Sequence, residues 1–201
     1  AESVGIKFHS ANFPATITTT ELVEEIKKIN QIPYMCGVIA QLPLPEHIDK
    51  TMVLSTIENR MDVDCLGVSA SEEFYDNKSK TGFPTALACM ALLDSVGVDL
   101  NTKRVVVMGQ GLLVGKPVVA LLRFRGIEPD IITRKTENKE ELMKNADVII
   151  SGMGHGKYIT GDMIKKGVIL IDAGTSENTK SGNTIVGDVD LESVKSVAGY
   201  V

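Results

Sequence analysis

An apolar strand that breaks into closely spaced glycines is the feature that most constrains the fold of this chain. The segment reads Arg104-Val-Val-Val-Met-Gly-Gln-Gly-Leu-Leu-Val-Gly-Lys-Pro117. Its β-branched run is typical of a buried parallel strand, Gly109 and Gly111 permit a tight turn, and Gly115 permits close packing of a following helix. The segment predicts a strand, a turn and a helix whose N-terminus can hold a pyrophosphate. Because its glycine spacing is one residue longer than the usual dinucleotide fingerprint, a structural turn without a ligand is the alternative.

The residues after the next predicted strand indicate which dinucleotide such a site would take. At that position an acidic residue binds the ribose of NAD, whereas an arginine accommodates the extra phosphate of NADP. Here the apolar pair Ile131-Ile132 is followed by Thr133, Arg134, Lys135 and Thr136, and no carboxylate stands at the strand end. Two cations and two hydroxyls suit a phosphate dianion, so the sequence favours NADP. A solvated basic loop is the alternative.

Composition limits the partners that we expect. The 201 residues are 43% hydrophobic, and 26 acidic against 21 basic residues give a net charge of -5. Nucleic acid and anionic membranes are therefore unsuited partners. No apolar run approaches the ~20 residues of a membrane span, and the start, Ala1-Glu2-Ser3, lacks a basic region followed by a hydrophobic one. We therefore expect a cytoplasmic protein.

Cysteines and histidines give no sign of a metal site. The three cysteines are odd in number and follow no ligand spacing, which favours buried free thiols over disulfides or metal ligands. The three histidines are too scattered for a ligand cluster. These residues are Cys36, Cys65, Cys89, His9, His47 and His155.

Apolar spacing predicts alternating strands and helices. In the first half we expect a strand over 4–8, a helix capped by Thr18 with Glu21, a buried strand over 35–40, a short helix over 48–57 and a long irregular loop over 59–81. In the second half we expect helices from Thr85 to near Gly97 and over 139–145, with strands over 130–132, 148–150 and 168–171. This alternation predicts a parallel, helix-flanked sheet, with a domain boundary near residues 80 to 85.

Polar residues in the first half are candidates for a second site. Gln41 ends the predicted strand over 35–40, and the following Leu-Pro-Leu-Pro45 cannot continue a central strand. Gln41 therefore lies at a strand end, where α/β folds place ligands, and its amide can both donate and accept. Asp62 and Asp64 follow in the irregular stretch, where each is either a site carboxylate or a solvated turn residue.

Six short motifs follow one another along the chain: Gln41-Leu-Pro-Leu-Pro45, Asp62-Val-Asp64, Gly109-Gln-Gly-Leu-Leu-Val-Gly-Lys-Pro117, Gly161-Asp-Met-Ile-Lys-Lys-Gly167, Ile171-Asp-Ala-Gly174 and Val186-Gly-Asp-Val-Asp190. In these motifs and their order the chain resembles the bifunctional methylenetetrahydrofolate dehydrogenase/cyclohydrolase family, essentially from end to end. The resemblance implies hydride transfer from 5,10-methylene-tetrahydrofolate to NADP, followed by hydrolysis of the methenyl product to 10-formyl-tetrahydrofolate. Such an enzyme serves one-carbon metabolism and purine biosynthesis.

The resemblance also implies an architecture. We expect an α/β protein with a partial folate-binding catalytic domain over 1–82, a Rossmann-like NADP-binding domain over 83–201 and a cleft between them, assembled as a homodimer. Gln41 would match the glutamine that orients the catalytic lysine, and Asp64 the aspartate that hydrogen-bonds the pterin ring. The implied cofactor-binding residues form a phosphate turn, a 2′-phosphate loop and a nicotinamide loop: Gly109, Gln110, Gly111 and Gly115; Thr133, Arg134 and Thr136; Gly174 and Thr175.

Several departures from the family pattern bear on activity. The family's Tyr-x-x-x-Lys helix lies upstream of the segment matching residues 1–6, and the family continues beyond Val201 into a further loop and helix. Gln110-Gly111 replaces an Arg-Ser pair, Cys65 replaces a glycine, and Thr175-Ser176 replaces an Ile-Asn pair. We expect little or no turnover from these 201 residues alone. The alternative function is that of a truncated, inactive homologue serving as a nucleotide-binding or interaction module.

Overall fold

Residues 2–79, 81–178 and 184–201 are described by the structure, a computed structural model. The chain divides into two compact units, Ala1–Glu72 and Glu73–Val201. The division lies ahead of the domain boundary that we expect from the sequence, and the assignment of functional domains to 1–82 and 83–201 stays a prediction. Among the described helices, none has the length and apolar character that a membrane crossing requires.

The first unit is built from short helices. After a 3-10 turn at Glu2–Val4 the helices are α1 (Thr19–Asn30), α2 (Lys50–Thr56) and α3 (Val68–Tyr75), the last of which runs across the division between the units. The predicted capping box is confirmed, because Thr18 Oγ1 accepts the Glu21 N–H at 3.3 Å and the Glu21 carboxylate accepts the Thr18 N–H at 2.8 Å. Apolar side chains of α1, α2 and the residues flanking α2 pack into one core: Leu22, Val23, Ile26, Ile48, Val53, Ile57 and Met61.

Two predicted strands in the first unit are wrong. Residues 4–8 are exposed and include no strand, and residues 35–40 contribute only an isolated bridge between Val38 and Asp62. The Val38 N–H donates to the Met61 carbonyl at 2.8 Å, but a strand needs a ladder of such bonds to a neighbour. Apolar alternation alone cannot supply that neighbour. The predicted irregular loop over 59–81 is also wrong in part, because it contains α3.

The second unit is an α/β sandwich. Its elements are α4 (Pro84–Ser95), β1 (Val105–Met108), α5 (Gly115–Phe124), β2 (Asp130–Ile132), α6 (Lys139–Asn145), β3 (Val148–Ser151), β4 (Ile169–Asp172), β5 (Ser176–Asn178), β6 (Thr184–Val186) and α7 (Leu191–Val194). The predicted strands, and the helices after Thr85 and over 139–145, are confirmed to within a few residues.

The second unit contains a parallel four-stranded sheet, and its strand order indicates where a ligand would bind. The strand order is β2-β1-β3-β4, and β5 and β6 form a separate antiparallel pair. All four residues of β1 and of β3 are buried, and all except Ser151 are apolar, as expected of parallel strands that are covered on both faces. Because β2 lies on one side of β1 and β3 on the other, the strand order reverses between β1 and β3. In open α/β sheets, ligands bind beyond the carboxyl ends of the strands at this reversal.

Candidate functional site

The turn after β1 closes on the loop that follows β3. Gly109 has a φ of +93°, and a Cβ atom built on it would lie 2.7 Å from the carbonyl oxygen of Gly152. The Gly109 N–H donates to the Ile132 carbonyl at the end of β2 at 2.9 Å. Any larger residue at Gly109 would collide with backbone atoms, which cannot move aside as a flexible side chain can. The glycine therefore joins the carboxyl ends of three strands at the reversal point.

The same turn meets the first residue of α5. A Cβ atom on Gly115 would lie 2.2 Å from the Gly109 carbonyl oxygen, whereas one on the exposed Gly111 would have no neighbour nearer than 3.9 Å. The Gln110 amide donates to the Gly109 carbonyl at 2.9 Å, so this side chain braces its own turn. The predicted strand, turn and closely packed helix are confirmed, and Gly111 is the open position among them.

The loop after β2 uses its hydroxyl groups to shape its own backbone. Thr136 Oγ1 accepts the Thr133 N–H at 3.0 Å, and Thr133 Oγ1 accepts the Lys135 N–H at 3.2 Å. Lys139 Nζ donates to the Arg134 carbonyl at 3.1 Å. Arg134 and Lys135 are exposed. The loop therefore presents two cations from a turn that its threonines hold in place.

The loop after β4 contains the two residues predicted for the nicotinamide amide. The Gly174 N–H donates to Asp172 Oδ1 at 2.9 Å, and a Cβ atom on Gly174 would lie 2.0 Å from the carboxyl carbon of Asp188. Gly174 is buried and Thr175 is exposed. A Cβ atom built on Gly154, in the loop after β3, would lie 3.4 Å from the Thr175 carbonyl oxygen. The structure thus brings the loops after β3 and β4 together.

Asp188 is the functional candidate that the sequence interpretation missed. It is fully buried, and its Oδ2 accepts the Ser151 hydroxyl at 2.6 Å and the Met153 N–H at 2.8 Å, while Oδ1 accepts the His155 N–H at 2.7 Å. A carboxylate between a glycine and a valine, in the motif 186–190, is the local signal that could have drawn attention to it. His155 itself is exposed and its imidazole stacks edge-on against Tyr158 with ring centroids 5.2 Å apart.

The site candidates of the first unit lie in loops. Gln41 is exposed, and its amide donates to the Leu42 carbonyl at 2.9 Å. Asp64 is partly buried, and its pKa is raised chiefly by burial and further by the nearby charge of Asp62. Asp62 is only 2% exposed and its Oδ2 accepts the Gly67 N–H at 2.7 Å. The interpretation of Asp62 as a solvated turn residue is therefore wrong, because its carboxylate holds the loop together.

The three cysteines differ in their burial. Cys65 and Cys89 are buried as expected, and burial raises the pKa of Cys89, whereas Cys36 is exposed. Within residues 2–79, 81–178 and 184–201, no group of three or more His, Cys, Asp or Glu side chains could hold a metal ion.

Comparison with known families gives two matches that together extend over most of the chain. Residues 1–64 match the tetrahydrofolate dehydrogenase/cyclohydrolase catalytic domain, and residues 84–201 match the NAD(P)-binding domain of the same family. Bifunctional protein FolD 2 of Lactobacillus johnsonii is 37% identical over 194 residues, which are 96% of this chain and 68% of that protein. The relatives thus share both halves of the chain.

Two solved structures are similar throughout the described fold. The bifunctional FolD methylenetetrahydrofolate dehydrogenase/cyclohydrolase of Campylobacter jejuni is 33% identical with a TM-score of 0.84, over 92% of this chain and 66% of that one. The Trypanosoma brucei enzyme, solved with NADP and an inhibitor, is 30% identical with a TM-score of 0.89, over 99% of this chain and 70% of that one. The chain spans about two thirds of the length of these relatives. On sequence and fold alike, it belongs to the tetrahydrofolate dehydrogenase/cyclohydrolase family.

Proposed function

We propose that the chain functions in NADP-dependent oxidation of 5,10-methylene-tetrahydrofolate and hydrolysis of the product, with little or no turnover by these 201 residues alone. In the first reaction a hydride passes to the oxidised cofactor and leaves the methenyl cation. In the second, water adds to that cation, a carbon–nitrogen bond opens, and 10-formyl-tetrahydrofolate and a proton are released. The observation that carries this proposal is the close backbone approach of Gly109 and Gly152 at the strand reversal, in a chain whose two halves match the two domains of this family.

The second unit has the features that a dinucleotide pyrophosphate needs. No side chain caps the first turn of α5. The Lys116 N–H donates to the Gly111 carbonyl at 3.1 Å and Pro117 has no N–H, so the positive end of the helix dipole would be the main attraction for an anion there. Gly111 leaves room for close approach at that end. Arg134 and Lys135, with Thr133 and Thr136 shaping their loop, would hold the 2′-phosphate of NADP. The bound cofactor would supply the hydride-accepting chemistry, and the chain would supply its orientation.

Residues of the first unit would hold the folate. The carboxylate of Asp64 can accept two parallel N–H bonds from the aminopyrimidine edge of a pterin, provided that it is ionised despite its raised pKa. Gln41 would position a proton-transfer group through its amide, which can donate and accept. Gly174 and Thr175 would contact the nicotinamide amide through their backbone. These assignments follow the family pattern residue by residue.

The location of the protein, its assembly and the use of its product complete the proposed function. We place the protein in the cytoplasm as a homodimer, with its product feeding purine biosynthesis. Its net charge of -5 argues against nucleic acid and anionic membranes as partners. No observation favours the alternative of an inactive interaction module.

A spectrophotometric assay tests the proposal. Residues 1–201, and the same chain extended upstream by a Tyr-x-x-x-Lys helix, are each mixed with 5,10-methylene-tetrahydrofolate and NADP, and the formation and decay of methenyl-tetrahydrofolate are followed. We expect little or no turnover from residues 1–201 alone. In the extended chain, formation should require the cofactor and decay should exceed the rate in buffer. Titration with NADP alone measures cofactor binding separately from turnover. Binding without turnover in the extended chain would support the nucleotide-binding module instead, and absence of binding would reject the cofactor assignment as well.

A further inference from the structure

Asp188 is a buried carboxylate that the proposed chemistry does not use. Its three donors are one hydroxyl and two backbone N–H groups, all uncharged. Burying a charged group is costly unless hydrogen bonds replace its water. Both oxygens of this side chain are used, and charge-assisted bonds of this kind are about twice as strong as neutral ones. Asp188 therefore stabilises the segment that contains its three hydrogen-bond donors.

Those partners belong to the loop that faces the glycine turn. Ser151 ends β3, and Met153 and His155 follow it directly. Gly152, between them, is the residue whose carbonyl would lie 2.7 Å from a Cβ atom on Gly109. By fixing residues on both sides of Gly152, Asp188 fixes one wall of the turn at the strand reversal.

A second carboxylate fixes Asp188 itself. Asp172 Oδ1 accepts the Asp188 N–H at 3.0 Å, and its Oδ2 accepts the Val189 N–H at 2.9 Å. The same Asp172 carboxylate accepts the Gly174 N–H. A Cβ atom on Gly187 would lie 2.1 Å from Asp172 Oδ2, so the backbone lies directly against this carboxylate. The ends of β3 and β4 are thus joined through two acidic side chains and the segment between Gly187 and Val189.

We propose that Asp188 is a positioning residue for NADP, which holds the loops after β3 and β4 in their cofactor-binding conformation. This inference rests on the proposed function. The physical reason is preorganisation: a loop that is ordered during folding does not have to be ordered at the expense of binding free energy. Asparagine at this position would keep the shape of the side chain. It would, however, turn an amide NH2 towards backbone N–H donors, and one of the loop bonds would be lost.

The test compares Asp188→Asn with Asp147→Asn. Asp147 is a carboxylate at the opposite end of β3, where it accepts the Arg104 N–H at 2.7 Å and pairs with Lys165 at 2.5 Å. Removing its charge should affect stability without affecting the cofactor loops. We expect the Kd for NADP to rise at least about tenfold in Asp188→Asn, the effect of losing one bond to a charged group, and to stay within about twofold in Asp147→Asn.

A second readout observes the loop without the cofactor. Hydrogen exchange of the Met153 and His155 amides, followed by NMR, should accelerate in Asp188→Asn and remain slow in Asp147→Asn. In the assay of the extended chain, the KM for NADP should rise more than kcat falls. Ser151→Ala keeps both backbone bonds to Asp188, so it should retain most of the affinity.

Four outcomes decide the matter. Unchanged NADP affinity in Asp188→Asn overturns the inference, and so does an equal loss in Asp147→Asn. If Asp188→Asn does not fold, Asp172→Asn takes its place, and an unchanged affinity there overturns the inference too. If the wild-type protein itself does not bind NADP, the proposed function fails first, and the cofactor role of Asp188 falls with it.

Discussion

Gly115 lies so close to Gly109 that a Cβ atom on it would be 2.2 Å from the Gly109 carbonyl oxygen. The first residue of α5 and the turn after β1 are therefore packed backbone against backbone. Gly111 lies between them in sequence, yet a Cβ atom there would have 3.9 Å of clearance. Gly115 thus lacks a side chain because the fold leaves no room for one. Gly111 has room for one, and we expect that a ligand occupies this space.

Alanine substitution should separate these two reasons. Gly115→Ala forces backbone atoms apart, and we expect the free energy of unfolding to fall by about 1–3 kcal/mol, as in other overpacked sites. Gly111→Ala should change stability by less than about 0.5 kcal/mol but weaken NADP binding, because the methyl group occupies the space proposed for a phosphate. Thermal unfolding and cofactor titration measure both effects. Normal NADP binding by Gly111→Ala would remove this residue from the proposed site.

The preference for NADP over NAD should depend on Arg134. A charge-assisted contact with a phosphate is worth about 1.5–3 kcal/mol, so wild-type protein should bind NADP about tenfold to a hundredfold more tightly than NAD. Arg134→Ala should lose most of this preference by weakening NADP binding while leaving NAD affinity unchanged. Titration of both cofactors into both proteins measures the ratio.

Lys103→Ala is the matched control for that experiment. Lys103 is an exposed cation directly before Arg104 and β1, at the amino end of the sheet. Its removal changes the net charge of the protein as Arg134→Ala does, but it should leave the cofactor ratio as it is. An equal effect of the two substitutions would indicate a general charge effect instead of a phosphate contact.

Local sequence patterns predicted the nucleotide-binding half of the fold well. The strand Asp130–Ile132 and the helix Lys139–Asn145 have the predicted bounds, and the strand, turn and helix around Gly109 follow from one stretch of sequence. Each of these features depends on neighbours in the chain: a β-branched run, a helical stripe, a glycine where the backbone needs a positive φ.

Features that depend on distant partners were missed. The segment over 35–40 has the apolar residues of a strand, but only a single bridge, from Val38 to Asp62, is formed. The burial of Asp188 depends on Ser151, 37 residues earlier in the chain, and Asp62 forms its bridge with Val38, which lies outside its own loop. Short-range patterns contain no information on such pairings, so these carboxylates look like ordinary loop residues in the sequence.

Asp64→Asn should abolish folate binding and leave NADP binding unchanged. An amide cannot accept two parallel N–H bonds, and the cofactor features belong to the other unit. Folate titration and NADP titration of the same variant measure both properties. Asp62→Asn has a different expected effect: it weakens the bond to the Gly67 N–H and should lower the free energy of unfolding by about 1–3 kcal/mol. Loss of folate binding in Asp62→Asn without loss of stability would contradict this distinction.

The raised pKa of Asp64 also predicts a dependence of stability on pH. Burial is its main cause, and the Asp62 charge adds to it. Because the folded protein binds the Asp64 proton more tightly than the unfolded chain does, the ionised carboxylate destabilises the fold at neutral pH. This cost disappears as the pH falls through the folded-state pKa and the group becomes neutral.

Asp64→Asn should therefore unfold at a higher temperature than the wild-type protein at neutral pH. The gain should be small, because Asp64 is only partly buried and solvent screens its charge. It should shrink as the pH falls through the folded-state pKa and vanish below the ordinary pKa of an aspartate, about 3.9, where the carboxyl group is protonated in the folded and the unfolded protein alike. Thermal unfolding of the two proteins across this range measures the difference. A difference that stays constant with pH would mean that the asparagine acts through packing, and that Asp64 does not bear the charge cost inferred from its burial and from the nearby Asp62.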